Sequence, residues 1–360
     1  MVTEHKKIFT KKRVIIISII IGLIALFFIY KEISFTEVFN MFRNATLKQV
    51  FIYVALQFLL FLTLTFRWFV VIRSQGIKGI NIFKLNNYKI VGYAVSFLTP
   101  SAKIGGEPVR AGILSSKHNI PFNKALSSVV IDKTLELTTS ALFFILGGMY
   151  LLIKFVVAPE LRNVIIAVMI FFIVIFGVFN YRMMAGKSFF HKIFTIIRLD
   201  KLKSLKKFSR NLKDFEKLVI KFYHKDKKYF LYTIGISFVS WIIMFFEYRI
   251  AGEILGQILT PAQIFLIFSF VGAAYLVPIP MALGALEAGQ VSVFSLIRVS
   301  AAAGVGLSLI VRVKDMLISA IGMVLLLFYG LKFKEVYNQA NRIDREVKRL
   351  EEVETNGDKK

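Results

Sequence analysis

The 360-residue sequence contains no cysteine, so disulfide bonds, thiol catalysis and cysteine-ligated metals are excluded. Its four histidines (His5, His118, His191 and His224) lack the close spacing of a helical metal motif. The sequence also lacks a phosphate-loop lysine motif, a dinucleotide-binding glycine fingerprint and the strained serine turn of hydrolases. We therefore predict a protein that is not an enzyme, without catalytic residues, a metal or a cofactor.

Acidic residues are scarce as well: 22 Asp and Glu stand against 47 Lys and Arg, which gives a formal net charge of +25. The basic residues are concentrated in the N-terminal tail, in residues 181–228 and in the C-terminal tail, whereas the loops 31–48 and 154–162 contain few. This asymmetry predicts a protein of the cell membrane with both termini in the cytoplasm. Because basic cytoplasmic segments favour an anionic leaflet, we expect lipids with anionic headgroups, and not nucleic acid, as partners.

Apolar residues, by contrast, make up 56% of the chain, and 37 of them are phenylalanines. A membrane-spanning helix needs about 20 mostly apolar residues. Six stretches meet or approach this length: 14–30, 49–72, 137–157, 161–180, 229–246 and 316–331. No small-residue cleavage site follows the first stretch, so we interpret it as an uncleaved helix. The sequence predicts an all-α, polytopic integral membrane protein with about six full spanning helices.

Two further apolar segments, 85–116 and 261–298, are too interrupted to form a plain span. In the first segment, the apolar part 90–99 ends at Pro100; the second begins at Pro261 and is interrupted by the run VPIPMALGALEAG. Short apolar runs between helix breakers are typical of re-entrant elements. We predict that each segment forms a helix, a break and a second short helix, and that the two hairpins enter the membrane from opposite faces.

The two hairpin regions share similar residues at a nearly constant separation. Four pairs of positions lie 179 or 180 residues apart: Pro100 and Pro280, Glu107 and Glu287, Lys133 and Arg312, Glu136 and Asp315. An odd number of predicted crossings separates the copies, which indicates an inverted repeat with halves at about 49–157 and 229–330. In transporters built from inverted repeats, the broken helices mark the substrate site.

Charges within apolar helices are costly, at about 2.5–3.5 kcal/mol at the helix centre on insertion scales, and usually face a partner or water. Basic residues here would hold a phosphate, carboxylates would balance charge or carry a proton, and two glycines would allow close backbone approach. The predicted substrate-binding residues are Lys103, Gly105, Gly106, Glu107, Arg110, Lys133, Glu136, Glu287, Arg312 and Asp315.

Two simpler interpretations of these charges stay open. The pairs Lys133/Glu136 and Arg312/Asp315 could be structural ion pairs that hold a helix to its hairpin. The hairpin cations could instead extend to the membrane interface. Glu247 and Arg249 lie near the end of a predicted helix, so we place both at the interface and outside the site.

Two segments are predicted to lie outside the membrane. Residues 181–228 alternate basic and apolar positions, which is typical of an amphipathic stretch on the cytoplasmic surface. Residues 334–360 form a charged cytoplasmic tail. Residues 1–333 then constitute a single membrane domain.

Three runs, SFLTPSAKIGGEPVRAGIL, ALSSVVIDKTLEL and VPIPMALGALEAG, carry a family resemblance. They resemble the flippase-like membrane domain of lysylphosphatidylglycerol synthases and the stand-alone proteins that share this domain, over roughly residues 10–330. The first motif comprises Gly106, Glu107, Pro108 and Arg110. At the second break, the resemblance depends on Gly284 and Glu287.

The sequence departs from the family pattern at two places. Met281 and Ala282 stand where small glycines are expected, and Asp132-Lys133 stands where an arginine before the acidic turn is more usual. In the synthases, this domain is associated with moving a lipid from the inner to the outer leaflet, while a separate soluble domain transfers the amino acid. We find no counterpart of that soluble domain, so the resemblance does not imply synthase activity.

The leading hypothesis is a lipid translocase that moves an anionic phospholipid or a polyprenyl-phosphate-linked lipid between leaflets. The alternative is a membrane scaffold or subunit that recruits a separate lipid-modifying enzyme through the basic surface of residues 181–228. A third interpretation, an intramembrane enzyme acting on polyprenyl phosphate, also stays open.

Overall fold

A computed structural model describes residues 35–43, 45–99, 105–196, 206–274 and 280–329. Within these ranges the regular structure is entirely helical, so the all-α prediction is confirmed. The elements are α1 (Phe35–Phe42), α2 (Leu47–Ser74), α3 (Ile82–Leu98), α4 (Glu107–His118), α5 (Phe122–Lys154), α6 (Pro159–Met184), α7 (Phe190–Ile196), α8 (Lys206–His224), α9 (Lys227–Ile254), α10 (Pro261–Ala274), a short 3-10 helix (Pro280–Ala282), α11 (Ala285–Leu296) and α12 (Ala301–Phe328).

Four of these helices, α2, α5, α6 and α9, are long and apolar enough to cross a membrane. They contain four of the predicted spans, and the protein is a polytopic membrane protein. The predicted span 316–331 forms only the last part of α12, a 28-residue helix that also contains the charged residues near its middle. The predicted span 14–30 and the tail 334–360 lie outside the described residues.

Local sequence signals fix where several helices begin. Thr46 and Gln49 form a capping box at the start of α2, in which each side chain accepts a hydrogen bond from the other residue's backbone N–H. Asn81 caps α3 through the N–H of Phe83, and Ser300 caps α12. These caps satisfy N–H groups that have no partner within a helix.

Both predicted hairpins fold as a helix, a break and a second short helix. In the first, α3 and α4 flank the break, and Pro108 lies in the first turn of α4, where a proline needs no N–H partner. In the second, α10 and α11 flank a break that contains the short 3-10 helix. The two short helices of each hairpin pack against each other.

The two halves, α2–α5 and α9–α12, repeat the same order of elements and exchange contacts reciprocally. Helix α3 packs on α12 of the other half, and α10 packs on α5. Helices α2 and α9 pack side by side and run antiparallel, because Tyr53 near the start of α2 bonds Glu247 near the end of α9, while Arg67 bonds Ser237. In an inverted repeat, each half packs its hairpin on the other half in the same way, and equivalent helices run in opposite directions. The contacts of α3, α10, α2 and α9 follow this pattern.

The basic segment 181–228 contains α7 and α8, and α8 is amphipathic as predicted. Its apolar face does not point outward, however, because Phe215, Val219, Phe222 and Tyr223 are buried in a cluster with side chains of α5 and α6. Glu216 is buried as well and accepts hydrogen bonds from backbone N–H groups at the start of α7. Helix α8 is therefore attached to the protein itself, and Lys213, Lys217 and Lys221 lie on its exposed side.

Candidate functional site

The two halves surround a cavity of about 290 Å³, lined by α2–α5, α6, α9, α10 and α12. Eight acidic or basic side chains contribute to its wall: Arg67, Lys89, Glu107, Arg110, Lys133, Glu136, Glu247 and Lys314. The same wall also contains large apolar side chains: Phe144, Phe172, Phe176, Trp241, Met244 and Phe268. The cavity therefore offers both an ionised and a hydrophobic surface.

A buried carboxylate, Asp132, organises the charges of the first half. Its Oδ1 lies 2.9 Å from Nε of Arg67, and its Oδ2 lies 2.9 Å from Nη2 of Arg110 and 3.2 Å from Nζ of Lys89. The side chain of Asp132 is 0% exposed. One carboxylate thus holds cations from three helices, and Arg110 also stacks on the ring of Trp68. Charge-assisted hydrogen bonds of this kind make burial of the cations tolerable.

Lys133 lies beside this cluster and is shared by two carboxylates. Its Nζ is 2.8 Å from Oε1 of Glu136 and 3.8 Å from Oε1 of Glu107. The Lys133/Glu136 pair has the predicted spacing of three residues along α5, so both side chains lie on one face. The second oxygen of Glu107, Oε2, is buried and has no hydrogen-bond partner among the described residues.

The repeat-related pair in the second half is much tighter. Arg312 binds Glu287 through two contacts, of 2.7 Å and 2.9 Å, and also donates to the backbone carbonyls of Met281 and Ala282. Both of these residues have a positive φ, 57° and 49°, a conformation that costs a non-glycine residue about 1–2 kcal/mol. Arg312 stabilises this turn, and the conformation explains why glycines are expected there.

Glu247 is buried and lines the cavity, whereas the sequence predicted a position at the membrane interface and outside the site. The residue is 2% exposed, and its Oε1 lies 3.2 Å from Nζ of Lys314 and 3.3 Å from the hydroxyl of Tyr53. Arg249 is exposed and pairs with Glu253, as its predicted position implies. A carboxylate near the end of a long helix is therefore part of the cavity wall.

The ten predicted site residues divide into groups. Glu107, Arg110, Lys133 and Glu136 line the cavity. Glu287, Arg312 and Asp315 are not among its lining residues, although Asp315 accepts a 2.6 Å hydrogen bond from the lining residue Tyr93. Lys103 lies outside the described residues. Gly105 and Gly106 lie at the first break, and Gly106 is in close contact with the backbone of Gly92, which leaves no space for a Cβ.

Sequence reasoning missed two lining cations, Arg67 and Lys89, and left Asp132, Lys314 and Glu247 out of the site. One signal was present: Arg67 and Glu247 are separated by 180 residues, the offset of the repeat. The two equivalent positions carry opposite charges. Arg67 pairs with Asp132 on α5 of the first half, and Glu247 pairs with Lys314 on α12 of the second half.

Substituting alanine for Gly106 is expected to destabilise the first hairpin. A Cβ at this position would clash with the carbonyl of Gly92, and it would also lie 2.7 Å from Oγ of Ser96. Overpacking of this kind costs about 1–3 kcal/mol, so the thermal unfolding midpoint should fall. Gly177→Ala is the matched control, because no atom lies within 4 Å of its added Cβ. Equal midpoints for the two variants would contradict the close contact between α3 and the break.

These observations define a polytopic helical membrane protein whose two antiparallel halves enclose buried ionised residues. The chain belongs to the family described as the lysylphosphatidylglycerol synthase TM region, which matches residues 15–322. The resemblance stated from the three sequence runs is thereby confirmed.

Two archaeal proteins are similar to this chain. A UPF0104 membrane protein of Methanothermobacter thermautotrophicus is 26% identical over 332 residues, which cover 89% of this chain and 96% of that protein. A UPF0104 membrane protein of Methanocaldococcus jannaschii is 32% identical over 132 residues, which cover 36% of this chain and 38% of that protein.

Proposed function

We propose that the protein is a lipid translocase, which moves an anionic phospholipid or a polyprenyl-phosphate-linked lipid between the two leaflets. The observation that carries the proposal is the cavity between the repeats, whose wall combines ionised and large apolar side chains. A lipid has the same two chemistries, a charged headgroup and a hydrocarbon chain. Membership of a family that contains the membrane region of a lipid synthase supports a lipid as the substrate.

Among the lining cations of the first half, Lys133 is the best placed to bind a phosphate. Arg67, Lys89 and Arg110 are all held by Asp132. Lys133 is shared by Glu107 and Glu136, and Glu107 is the more distant of the two. We therefore assign headgroup binding to Lys133, and a supporting positive field to the cations around Asp132. The pair Glu287/Arg312 has a structural role at the second break.

The apolar part of the wall is assigned to the hydrocarbon chain. Phe144 and Phe172 meet edge to face, and Trp241 contacts Phe268 at a centroid distance of 5.3 Å. An aromatic wall beside buried charges excludes water from the chain while the headgroup keeps polar partners. Transport in this form requires no catalytic residue.

The cavity can be tested by filling it. Ser140 lines the cavity on α5, and a tryptophan there would occupy much of its volume. We expect Ser140→Trp to reduce lipid movement to the rate of protein-free vesicles. The assay uses proteoliposomes with a trace of fluorescent phosphatidylglycerol or fluorescent polyprenyl phosphate, and dithionite measures the label in the outer leaflet.

The matched control is Leu146→Trp, which adds the same side chain to the same helix at an exposed position. This variant should move lipid at the wild-type rate, and the unfolding midpoints of both variants should be measured beside transport. Wild-type transport by a folded Ser140→Trp variant would show that lipid does not pass through the cavity. Loss of function only when the exposed α8 lysines are reversed in charge would favour the scaffold hypothesis instead.

A further inference from the structure

The two halves contain equivalent carboxylate–cation pairs that differ in strength. Arg312 donates hydrogen bonds to Glu287 from two of its nitrogens, and it also donates to the backbone carbonyl of Ala282. Lys133 reaches Glu107 only at 3.8 Å, and it lies closer to Glu136. Glu107 and Lys133 lie in the cavity wall, whereas neither Glu287 nor Arg312 is a lining residue. An incoming anion can therefore separate the pair Glu107/Lys133.

The closest described counter-ion of Glu107 is Lys133. Within the part of the chain that the structure describes, Lys133 is the only basic group within 4.0 Å of its carboxylate. The other ionisable groups that line the cavity near it come from α2, α3, α4 and α5: Arg67, Lys89, Tyr93, Arg110 and Glu136. Arg67, Lys89 and Arg110 are bound to Asp132, and Glu136 has a second cation, Arg67, at 3.7 Å.

The charges in and around the cavity balance when no ligand is bound. Among the described residues, six basic side chains face six acidic ones: Arg67, Lys89, Arg110, Lys133, Arg312 and Lys314 against Glu107, Asp132, Glu136, Glu247, Glu287 and Asp315. A phosphate monoanion would add one negative charge. An uncompensated charge in such surroundings is strongly unfavourable, so the loaded cavity needs one more positive charge.

We infer that Glu107 takes up one proton when a phosphate group enters the cavity. In the empty state, the Glu107 carboxylate faces the Lys133 ammonium. The phosphate then binds Lys133, Glu107 loses its described counter-ion, and its carboxylate accepts one proton from the bulk solution. When the phosphate leaves, the proton leaves as well and the ion pair forms again. Lipid and proton therefore move together, an inference that rests on the proposed function.

The proton count can be measured directly. Wild-type protein in discs of phosphatidylcholine is titrated with dihexanoylphosphatidylglycerol in a calorimeter, at one pH, in buffers of different ionisation enthalpy. We expect about one proton taken up per lipid bound. Glu107→Gln should bind the lipid with a count near zero. Glu287→Gln is the repeat-related control. It should take up the same number of protons per lipid as wild type, even though loss of the Glu287/Arg312 pair makes its second hairpin less stable.

Each outcome decides a separate question. Binding to wild type without proton uptake would overturn the inference and leave the proposed function intact, whereas absence of binding would overturn both. An unchanged count in Glu107→Gln would assign the proton to another group. If that variant does not fold, the wild type still tests proton uptake: its Kd should rise about tenfold per pH unit between the pKa of the site without lipid and its pKa with lipid bound. A Kd that does not depend on pH would refute proton uptake on lipid binding.

Discussion

Asp132→Asn is expected to be the most destabilising single substitution in the charge cluster. Asparagine has nearly the same shape, but it leaves Arg67, Lys89 and Arg110 buried without their shared anion. Removing one partner of a buried ion pair costs about 3–5 kcal/mol. Whole domains are stable by only about 5–15 kcal/mol, so we expect little monodisperse protein and a strongly lowered unfolding midpoint. Size-exclusion chromatography after heating measures both.

The matched control for this substitution is Asp214→Asn on α8. Asp214 also pairs with a lysine, but both side chains are exposed, and such pairs contribute about 0–1 kcal/mol. Adding Lys89→Met to Asp132→Asn removes one excess cation and should restore part of the lost stability. A variant Asp132→Asn that is as stable as wild type would show that the cations do not depend on this carboxylate.

Lys133→Gln is expected to reduce lipid movement to the background of protein-free vesicles. Glutamine keeps a hydrogen-bond donor but removes the charge that we assign to phosphate binding. A hydrogen bond to a charged group contributes about 1.5–3 kcal/mol, so headgroup binding should weaken about tenfold to a hundredfold or more. Transport is measured with the fluorescent lipids in proteoliposomes, and binding with the calorimetric titration.

Lys217→Gln provides the comparison for this second substitution. Lys217 belongs to another pair with a spacing of three residues, with Asp214, but its side chain is 77% exposed and far from the cavity wall. Lys217→Gln should transport lipid at the wild-type rate. If a folded Lys133→Gln variant also transports lipid at the wild-type rate, a different cation holds the phosphate and the assignment of Lys133 fails.

Much of this architecture could be predicted from local features of the sequence. Proline breaks in short apolar runs predicted both hairpins, and the constant offset between Glu107 and Glu287 predicted the repeated halves. The spacing of Lys133 and Glu136 placed both side chains on one helical face. Each of these signals depends on neighbours along the chain or on comparison of the chain with itself.

The shared charge cluster could not be predicted in the same way. The partners of Asp132 come from positions 67, 89 and 110, and those of Glu247 from positions 53 and 314, so they meet only after the helices pack. Position along a helix was also misleading, because Glu247 lies near the end of α9, which is longer than a minimal span. Applying the repeat offset to every charged residue would have drawn attention to Arg67 and Glu247.

Helices α2 and α9 each contain 28 residues, which corresponds to about 42 Å at 1.5 Å per residue. The hydrocarbon layer of a bilayer is about 30 Å thick, so each helix must either tilt or extend into the headgroup region. Because α2 and α9 lie side by side in opposite directions, a change in the inclination of one shifts the other. We therefore expect the thickness of the host membrane to affect the angle between α2 and α9.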